Sequence, residues 1–453
     1  MLVVIIHPEQ WNGGSDRCTL ALIKHFRASG HRVVWLTTMI DKYWQGEDFS
    51  NVEIHEVRIA LHPGDWFSQN VALGYHLCFS GINPDLVVVD HSASCIPMIK
   101  WRFPQTKVLF YCHFPQQLVT PERFFLYRWY SRLISIIEEW LFKDVDLIMV
   151  NSKFTAKNFR LVMPEASNKV RVVYPPCDVD SLSVSLDGGG AISRKARPQN
   201  PEYVFLSMNR FWPEKRLDII LDAAVILKEQ NQRVKIQVAG SVMPHIPESR
   251  IYFQLLRERS MELGLDDIIE FVISPSEAKK FELYRNCDSV LYTPPLEHFG
   301  IVPIEALQQR RPVIAIDSGG PAETVIENVT GTKIEYPCGK LLANAMIEHM
   351  NKEVWEHLDL DEHFQVQKIR FEREYSSRGF GRRLDEALVE IFSQSVSIGS
   401  APLDVESNIP PSIVVNGKLP STIVSKGLSQ LPVSQQTTTK KHLSADLRKR
   451  RMA

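Results

Sequence analysis

The chain has no excess of either charge: 52 Lys and Arg stand against 53 Asp and Glu, a net of −1. That balance excludes a surface built as a whole for nucleic acid. No apolar run approaches the roughly 20 residues needed to cross a bilayer. The opening MLVVIIHP goes straight into a strand pattern without a charged leader, so no signal peptide is expected. The 7 cysteines show no metal-ligand spacing, and an odd number spread over 453 residues fits reduced thiols better than a disulfide frame. Neither a Walker A sequence nor G-x-G-x-x-G occurs, which weakens ATP and dinucleotide readings.

What is present is an ordinary globular composition, 44% hydrophobic and 23% charged, arranged in a βα rhythm that runs twice. Leu2 to Ile6 is a continuous apolar run suited to a parallel strand buried on both faces. A loop with Gly13-Gly14 follows, then a helical pattern over residues 18–28 and a strand over 32–38. Further strands are expected near residues 86–90, 107–111, 147–151 and 170–174. Residues 183–201, with Gly188-Gly189-Gly190, scattered Ser and Arg and two prolines, read as a linker. The rhythm restarts at Tyr203. The expected organisation is α/β: two doubly wound Rossmann-like domains, 1–182 and 202–380, with a cleft between them. A helix over 381–394 crosses back to the first domain. Residues 395–453, which lose periodicity and end in Lys440-Lys441 and Arg448 to Arg451, form a disordered C-terminal tail.

The most informative stretch is LYTPPLEHFGIVPIEALQQRRPVIAIDSGGPAE, from Leu291 to Glu323. A strand ends in a Pro-Pro turn, Glu297 follows, then Gly300, and a helix begins that carries Glu305. Gly300 permits close backbone approach to a ligand, and the free amides beyond it offer an anion a partner. In NRFWPEKR, Arg210 leaves the first strand of the second half and Lys215 opens the next helix, so two cations at a strand end can neutralise a diphosphate. Such a set suits a sugar nucleotide. Taken singly, each of these charged residues reads better as a solvated charge. His91 and His113 both lie just past a strand end. Cys112 beside His113 invites a Cys–His nucleophile, but adjacent residues on a strand point to opposite faces. Of the D-x-D triplets, Asp144/Asp146 sits at the entry to a strand, the wrong end for the cleft, and Asp178/Asp180 and Asp359/Asp361 lack the strand-turn context of a metal site.

Glu297 and Glu305, spaced E-x7-E, together with EHFGIVPIEA, FYCHFP, DHSASCIP, MVNSKFTA and NRFWPEKR, resemble retaining glycosyltransferases of the two-domain GT-B fold, family 4, over residues 2–393. Within that family they are similar to the mannosyltransferases that build the dolichol-linked oligosaccharide. The resemblance implies GDP-mannose as donor and a dolichol-diphosphate-linked mannosyl-chitobiose as acceptor, with retention and without a metal or other cofactor. It places the enzyme on the cytosolic face of the endoplasmic reticulum membrane, beside other mannosyltransferases of the pathway. It implies catalytic roles for His113, Arg210, Lys215 and Glu297, and donor contacts from Phe299, Gly300, Ile301 and Glu305. Gly13 and Gly14 fall to a diphosphate or acceptor loop, where Ser15-Asp16 departs from the family's small residue and Glu and leaves the role of Asp16 open. A later alpha-1,2-mannosyltransferase, a GT-B sugar-nucleotide epimerase and a lapsed binding protein are the competing readings. Residues 124–142, rich in Phe, Trp, Tyr and Arg, suit either a membrane interface or a helix packed on the sheet. The charge-free residues 66–84 are expected to pack.

Overall fold

The structure is a computed structural model that describes residues 1–11, 13–115, 137, 139–177, 202–243, 246–351 and 361–393. The linker, the tail and most of the aromatic–arginine stretch lie outside the described residues, as do Asp178, Asp180 and Asp359.

In the first half, strands β1 (Leu2–Ile6), β2 (Glu9–Gln10), β3 (Arg32–Thr37), β4 (Met39–Ile40), β5 (Val52–Glu56), β6 (Leu86–Asp90), β7 (Lys107–Cys112), β8 (Leu147–Val150) and β9 (Val170–Val172) alternate with helices. These are α1 (Gly14–Ala28), α2 (Trp66–Phe79), α3 (Ile96–Arg102) and α4 (Lys153–Val162). Seven strands form a parallel sheet in the order β5-β3-β1-β6-β7-β8-β9, while β2 and β4 pair separately beyond its edge. Alternate residues of β1 feed opposite layers: Val4 and Ile6 join one apolar cluster, Val3 and Ile5 the other. A sheet covered on both faces explains why its strands read as unbroken apolar runs.

The second half repeats the plan. Strands β10 (Tyr203–Met208), β11 (Val234–Gly240), β12 (Ile269–Ile273), β13 (Ser289–Tyr292), β14 (Val313–Ile316) and β15 (Gly331–Ile334) form a parallel sheet in the order β12-β11-β10-β13-β14-β15. The helices are α5 (Asp218–Glu229), α6 (Pro247–Glu262), α7 (Glu277–Asn286), α8 (Val302–Gln308), α9 (Pro321–Thr324), α10 (Gly339–Asn351), α11 (Asp361–Glu374) and α12 (Ser377–Ser393). In both sheets the strand order reverses beside the first strand, at β1/β6 and at β10/β13. Ligands of open parallel sheets bind at such switch points, outside the carboxyl ends of the strands.

Three departures from the sequence reading have physical causes. Helix α1 starts at Gly14, four residues before the expected Cys18, because Asp16 accepts the Gly13 amide at 2.5 Å and starts the helix in the loop. Helix α12 starts at Ser377 and already belongs to the first half: Phe380, Leu384, Ala387, Leu388 and Ile391 enter the apolar layer of Val3, Ile5 and Phe26. Residues 66–84 pack on one side only. Gln69, Asn70, Leu73, Gly74, Leu77 and Cys78 of α2 are buried, while Phe67 and Phe79 remain exposed.

Candidate active site

The two switch points open onto one cleft of about 820 Å³, lined among others by Gly13, Gly14, His113, Arg210, Lys215, Glu297, Phe299, Gly300, Ile301 and Glu305. Every residue to which the resemblance gives a role therefore lines the same cavity. The cleft wall also includes Trp66, His91, Asn151, Glu277, Lys280 and His298.

On the first sheet, Asp90 ends β6 and is buried. Its Oδ2 accepts from His7 Nδ1 at 2.6 Å and lies 3.5 Å from His113 Nε2 and 4.0 Å from His91 Nε2. His7, at the end of β1, is wholly buried, and its Nε2 donates to Asp16 at 3.1 Å. Burial alone would lower the His7 pKa, but the carboxylates of Asp90 and Asp16 outweigh it and raise it to about 10. For Asp90 burial works the other way, and the neighbouring His7 and His91 hold the carboxyl well below the usual range. His91 is pushed down to about 4 by burial, against the pull of Asp90.

Asp16, whose role the sequence left open, is a fastener. Its carboxylate takes the amides of Trp11 at 3.0 Å and Gly13 at 2.5 Å along with His7. A Cβ on Gly13 would meet Asp16 Oδ2 at 2.9 Å, whereas one on Gly14 would meet nothing within 4 Å. Of the two, only the first glycine is crowded by the protein's own atoms. Cys112 and His113 both line the cleft; Cys112 also enters an apolar cluster, while the carbonyl of His113 accepts from Asn151 Nδ2 at 2.8 Å.

On the second sheet, Arg210 follows β10 and Lys215 sits in the short turn Pro213–Lys215, where the Lys215 carbonyl accepts from Thr293 Oγ1 at 2.7 Å. Lys215 Nζ donates directly to Glu297 Oε2. Burial would raise the Glu297 carboxyl, but Lys215, His298 and Arg210 together lower it, so it stays ionised. Gly300 has φ +78°, and a Cβ there would press on the Tyr292 ring at 3.0 Å. The second glycine turn serves the first. Gly320 N donates to the Glu297 carbonyl at 2.7 Å, and a Cβ on Gly319 would stand 2.3 Å from that oxygen. Glu305 is buried, and its two oxygens accept from Lys280 Nζ at 2.6 Å and Tyr284 OH at 2.8 Å.

The halves also touch directly. Phe114 stacks on His298 with centroids 3.8 Å apart and planes 4° apart, and Ser152 Oγ donates to the His298 carbonyl at 2.5 Å. Burial, against the pull of Glu297, lowers the His298 pKa to about 4, so the ring is neutral where it stacks. Glu323 receives the amides of Lys153 and Phe154 at 3.2 Å each and the hydroxyl of Tyr174 at 3.0 Å. Lys280, His298 and Glu323 were missed in the sequence, where each is one charge or ring among many. Of the D-x-D pairs, Asp146 is structural: it accepts from Lys100 Nζ at 2.7 Å and the Val108 amide at 2.8 Å.

Two Rossmann-like halves with facing switch points, one presenting cations and the other a glycine loop and a histidine, define a glycosyltransferase of the GT-B fold. The first half matches Glycosyltransferase Family 4 over residues 12–181, and the second matches Glycosyl transferases group 1 over residues 190–365. Solved structures of similar fold include a glycosyltransferase from Rickettsia africae, at TM-score 0.66 and 15% identity over 86% of this chain and 98% of that one. Anabaena Alr3699/HepE in complex with UDP and glucose is another, at TM-score 0.65 and 18% identity over 86% of this chain and all (100%) of that one. At these identities the likeness speaks for the fold alone.

Curated relatives are more specific. The alpha-1,3/1,6-mannosyltransferase ALG2 of Homo sapiens is 33% identical over 356 residues, 73% of this chain and 82% of that protein. The protein of the same name from Mus musculus is 32% identical over 358 residues, 73% of this chain and 83% of its own length. The chain belongs to the alpha-1,3/1,6-mannosyltransferase family.

Proposed function

We propose that the chain transfers mannose with retention from GDP-mannose to a dolichol-diphosphate-linked mannosyl-chitobiose, first in alpha-1,3 and then in alpha-1,6 linkage. The observation that carries the reading is the convergence of Arg210, Lys215 and Glu297 at the β10/β13 switch point with Gly13, Gly14 and His113 at the β1/β6 switch point, in one cavity. As the donor's C1–O bond breaks, negative charge grows on the departing diphosphate. Arg210 and Lys215 stabilise that charge more in the transition state than before it. A departing phosphate oxygen takes the acceptor hydroxyl's proton on the same face, and that hydroxyl oxygen bonds to C1, so configuration is kept. Glu297, ionised and paired with Lys215, holds mannose hydroxyls and spaces the cation from the sugar. Glu305 contributes to the ribose side together with Lys280, which shares its carboxylate. His113, whose ring lies 3.5 Å from Asp90 and whose carbonyl is held by Asn151, faces the sugar from the other half.

The reaction proceeds without a metal in this reading. Among the described residues, His7, Asp90 and His91 bring their ligand atoms within 4.8 Å of one another. In the structure both His7 ring nitrogens are engaged by carboxylates, Nδ1 by Asp90 at 2.6 Å and Nε2 by Asp16 at 3.1 Å, so the cluster is satisfied as a charged hydrogen-bond network. The place of action is the cytosolic face of the endoplasmic reticulum, where a lipid-linked acceptor and the other mannosyltransferases of the pathway would meet it. No helix among the described residues is long and apolar enough to cross a membrane.

Incubation with labelled GDP-mannose and a panel of lipid-linked acceptors tests the reading. Two mannoses should be added to the singly mannosylated acceptor. Extension only of acceptors that already carry both branches would indicate the alpha-1,2 enzyme, and conversion of the nucleotide sugar without any acceptor would indicate an epimerase.

A further inference from the structure

Helix α2 carries no Asp, Glu, Lys or Arg. With one face buried against the sheet, the opposite face of such a helix is expected to be polar. Instead the outward row is Phe67, Val71, Tyr75 and Phe79, spaced by four and exposed by 49, 38, 59 and 71%. The Tyr75 and Phe79 rings lie against each other at 4.6 Å. Beside this row runs the extended segment after β5, where Val57, Ile59 and Leu61 turn inward between the exposed Arg58 and Ala60. Helix and segment form the two walls of an open groove of about 740 Å³ in which no lining residue is Asp, Glu, Lys or Arg. Such a two-walled apolar groove is a candidate site for an apolar ligand.

The groove begins one residue along the chain from the catalytic cleft. Trp66, the first residue of α2, lines the cleft and stacks on His91 at 4.4 Å, and the next residue, Phe67, lines the groove. Ser94 Oγ donates to the Phe67 carbonyl at 2.7 Å and fixes the junction. From Phe67 the helix carries the row about 18 Å away from the site.

We propose that this groove is the track for the first isoprenoid units of the lipid-linked acceptor, whose diphosphate and glycan reach into the cleft past Trp66. The inference rests on the acceptor assignment made above and extends it to the hydrocarbon. The occupant is a single chain rather than a bilayer face, for two reasons. The surface is a trough with two apolar walls, and its lining lacks the Lys and Arg that complement anionic headgroups.

Two acceptors with the same diphosphate-linked mannosyl-chitobiose, one on a dolichyl chain in detergent and one on a short water-soluble alkyl chain, test it on the full chain. In Tyr75→Ser/Phe79→Ser and in Val71→Ser, KM for the dolichyl acceptor should rise by about tenfold. KM for the short acceptor and for GDP-mannose, and kcat on both acceptors, should stay as in the wild type. A photoreactive isoprenoid diphosphate should label wild-type peptides spanning residues 57–61 and 67–79. An unchanged KM for the dolichyl acceptor overturns the proposal, as does an equal rise for both acceptors, which would mark a structural effect. Loss of binding to acceptor-free vesicles with an unchanged dolichyl KM in detergent would make the row a bilayer contact instead. If the wild type extends neither acceptor, the acceptor assignment fails, and the labelling pattern still decides whether the groove takes an isoprenoid.

Discussion

Lys215 is held in place from two sides: its carbonyl by Thr293 and its ammonium by Glu297. A charge fixed in this way needs no reorganisation when the diphosphate leaves, which is what makes one preorganised group worth about a hundredfold in turnover. Lys215→Ala is expected to lower kcat by about that factor with an unchanged circular dichroism spectrum; wild-type turnover in the folded variant would refute the assignment. Chelation should leave the rate as it was, and a requirement for an added divalent ion would mean that Arg210 and Lys215 do not neutralise the diphosphate alone. These residues were legible because NRFWPEKR and EHFGIVPIEA are continuous strings. Asp16 was not. What it does depends on Trp11, Gly13 and His7 folding back around it, and a string displays a carboxylate without its donors.

At the level of elements, the ends of β1 and β6 and the start of α1 are joined by charge rather than by apolar packing. His7 lies between Asp90 and Asp16, wholly buried. The joint has a pH signature. The folded pKa of His7 is raised to about 10 from 6.5, so the folded state binds a proton that the unfolded chain has released across that interval. The stabilisation is complete below the unfolded value and is lost as pH rises towards the folded one. Denaturant midpoints of the wild type should therefore decrease as pH rises from 6.5 to about 10, and His7→Asn should be less stable at pH 6.5 with a flatter dependence. Parallel slopes in the two proteins would mean that His7 is neutral in the fold. The strands themselves were easy to read, because a sheet covered on both faces leaves unbroken runs such as LVVII and LVVVD. Helix α2 was half legible: its lack of charge led to the expectation that it packs, and the structure buries one face but exposes an apolar row on the other.

The whole molecule is held around its cleft by contacts between residues far apart in the chain, and the helix start at Lys153 shows how. Ser152 caps α4 locally by accepting the Thr155 amide at 3.0 Å. The amides of Lys153 and Phe154 have no partner within their own helix and are instead received by Glu323 of the other half, which also takes the Tyr174 hydroxyl. A carboxylate at a helix start gains from the helix dipole as well as from the hydrogen bonds. No pattern along the sequence could announce this pairing, since each partner satisfies ordinary local rules and the two stand 170 residues apart. Removing the carboxylate leaves both sheets intact but uncaps one half from the other. Glu323→Ala is expected to cost about 1.5–3 kcal/mol, the worth of hydrogen bonds to a charged group. Hydrogen exchange would locate the loss. The amides of Lys153 and Phe154 should exchange faster in the variant, while those of β1 and β10 keep wild-type protection. Glu323→Gln, which keeps an acceptor, should fall between the two. If Lys153 and Phe154 exchange no faster in Glu323→Ala, the carboxylate does not hold the halves together. If β1 and β10 also lose protection, its removal destabilises the folds rather than the closure between them.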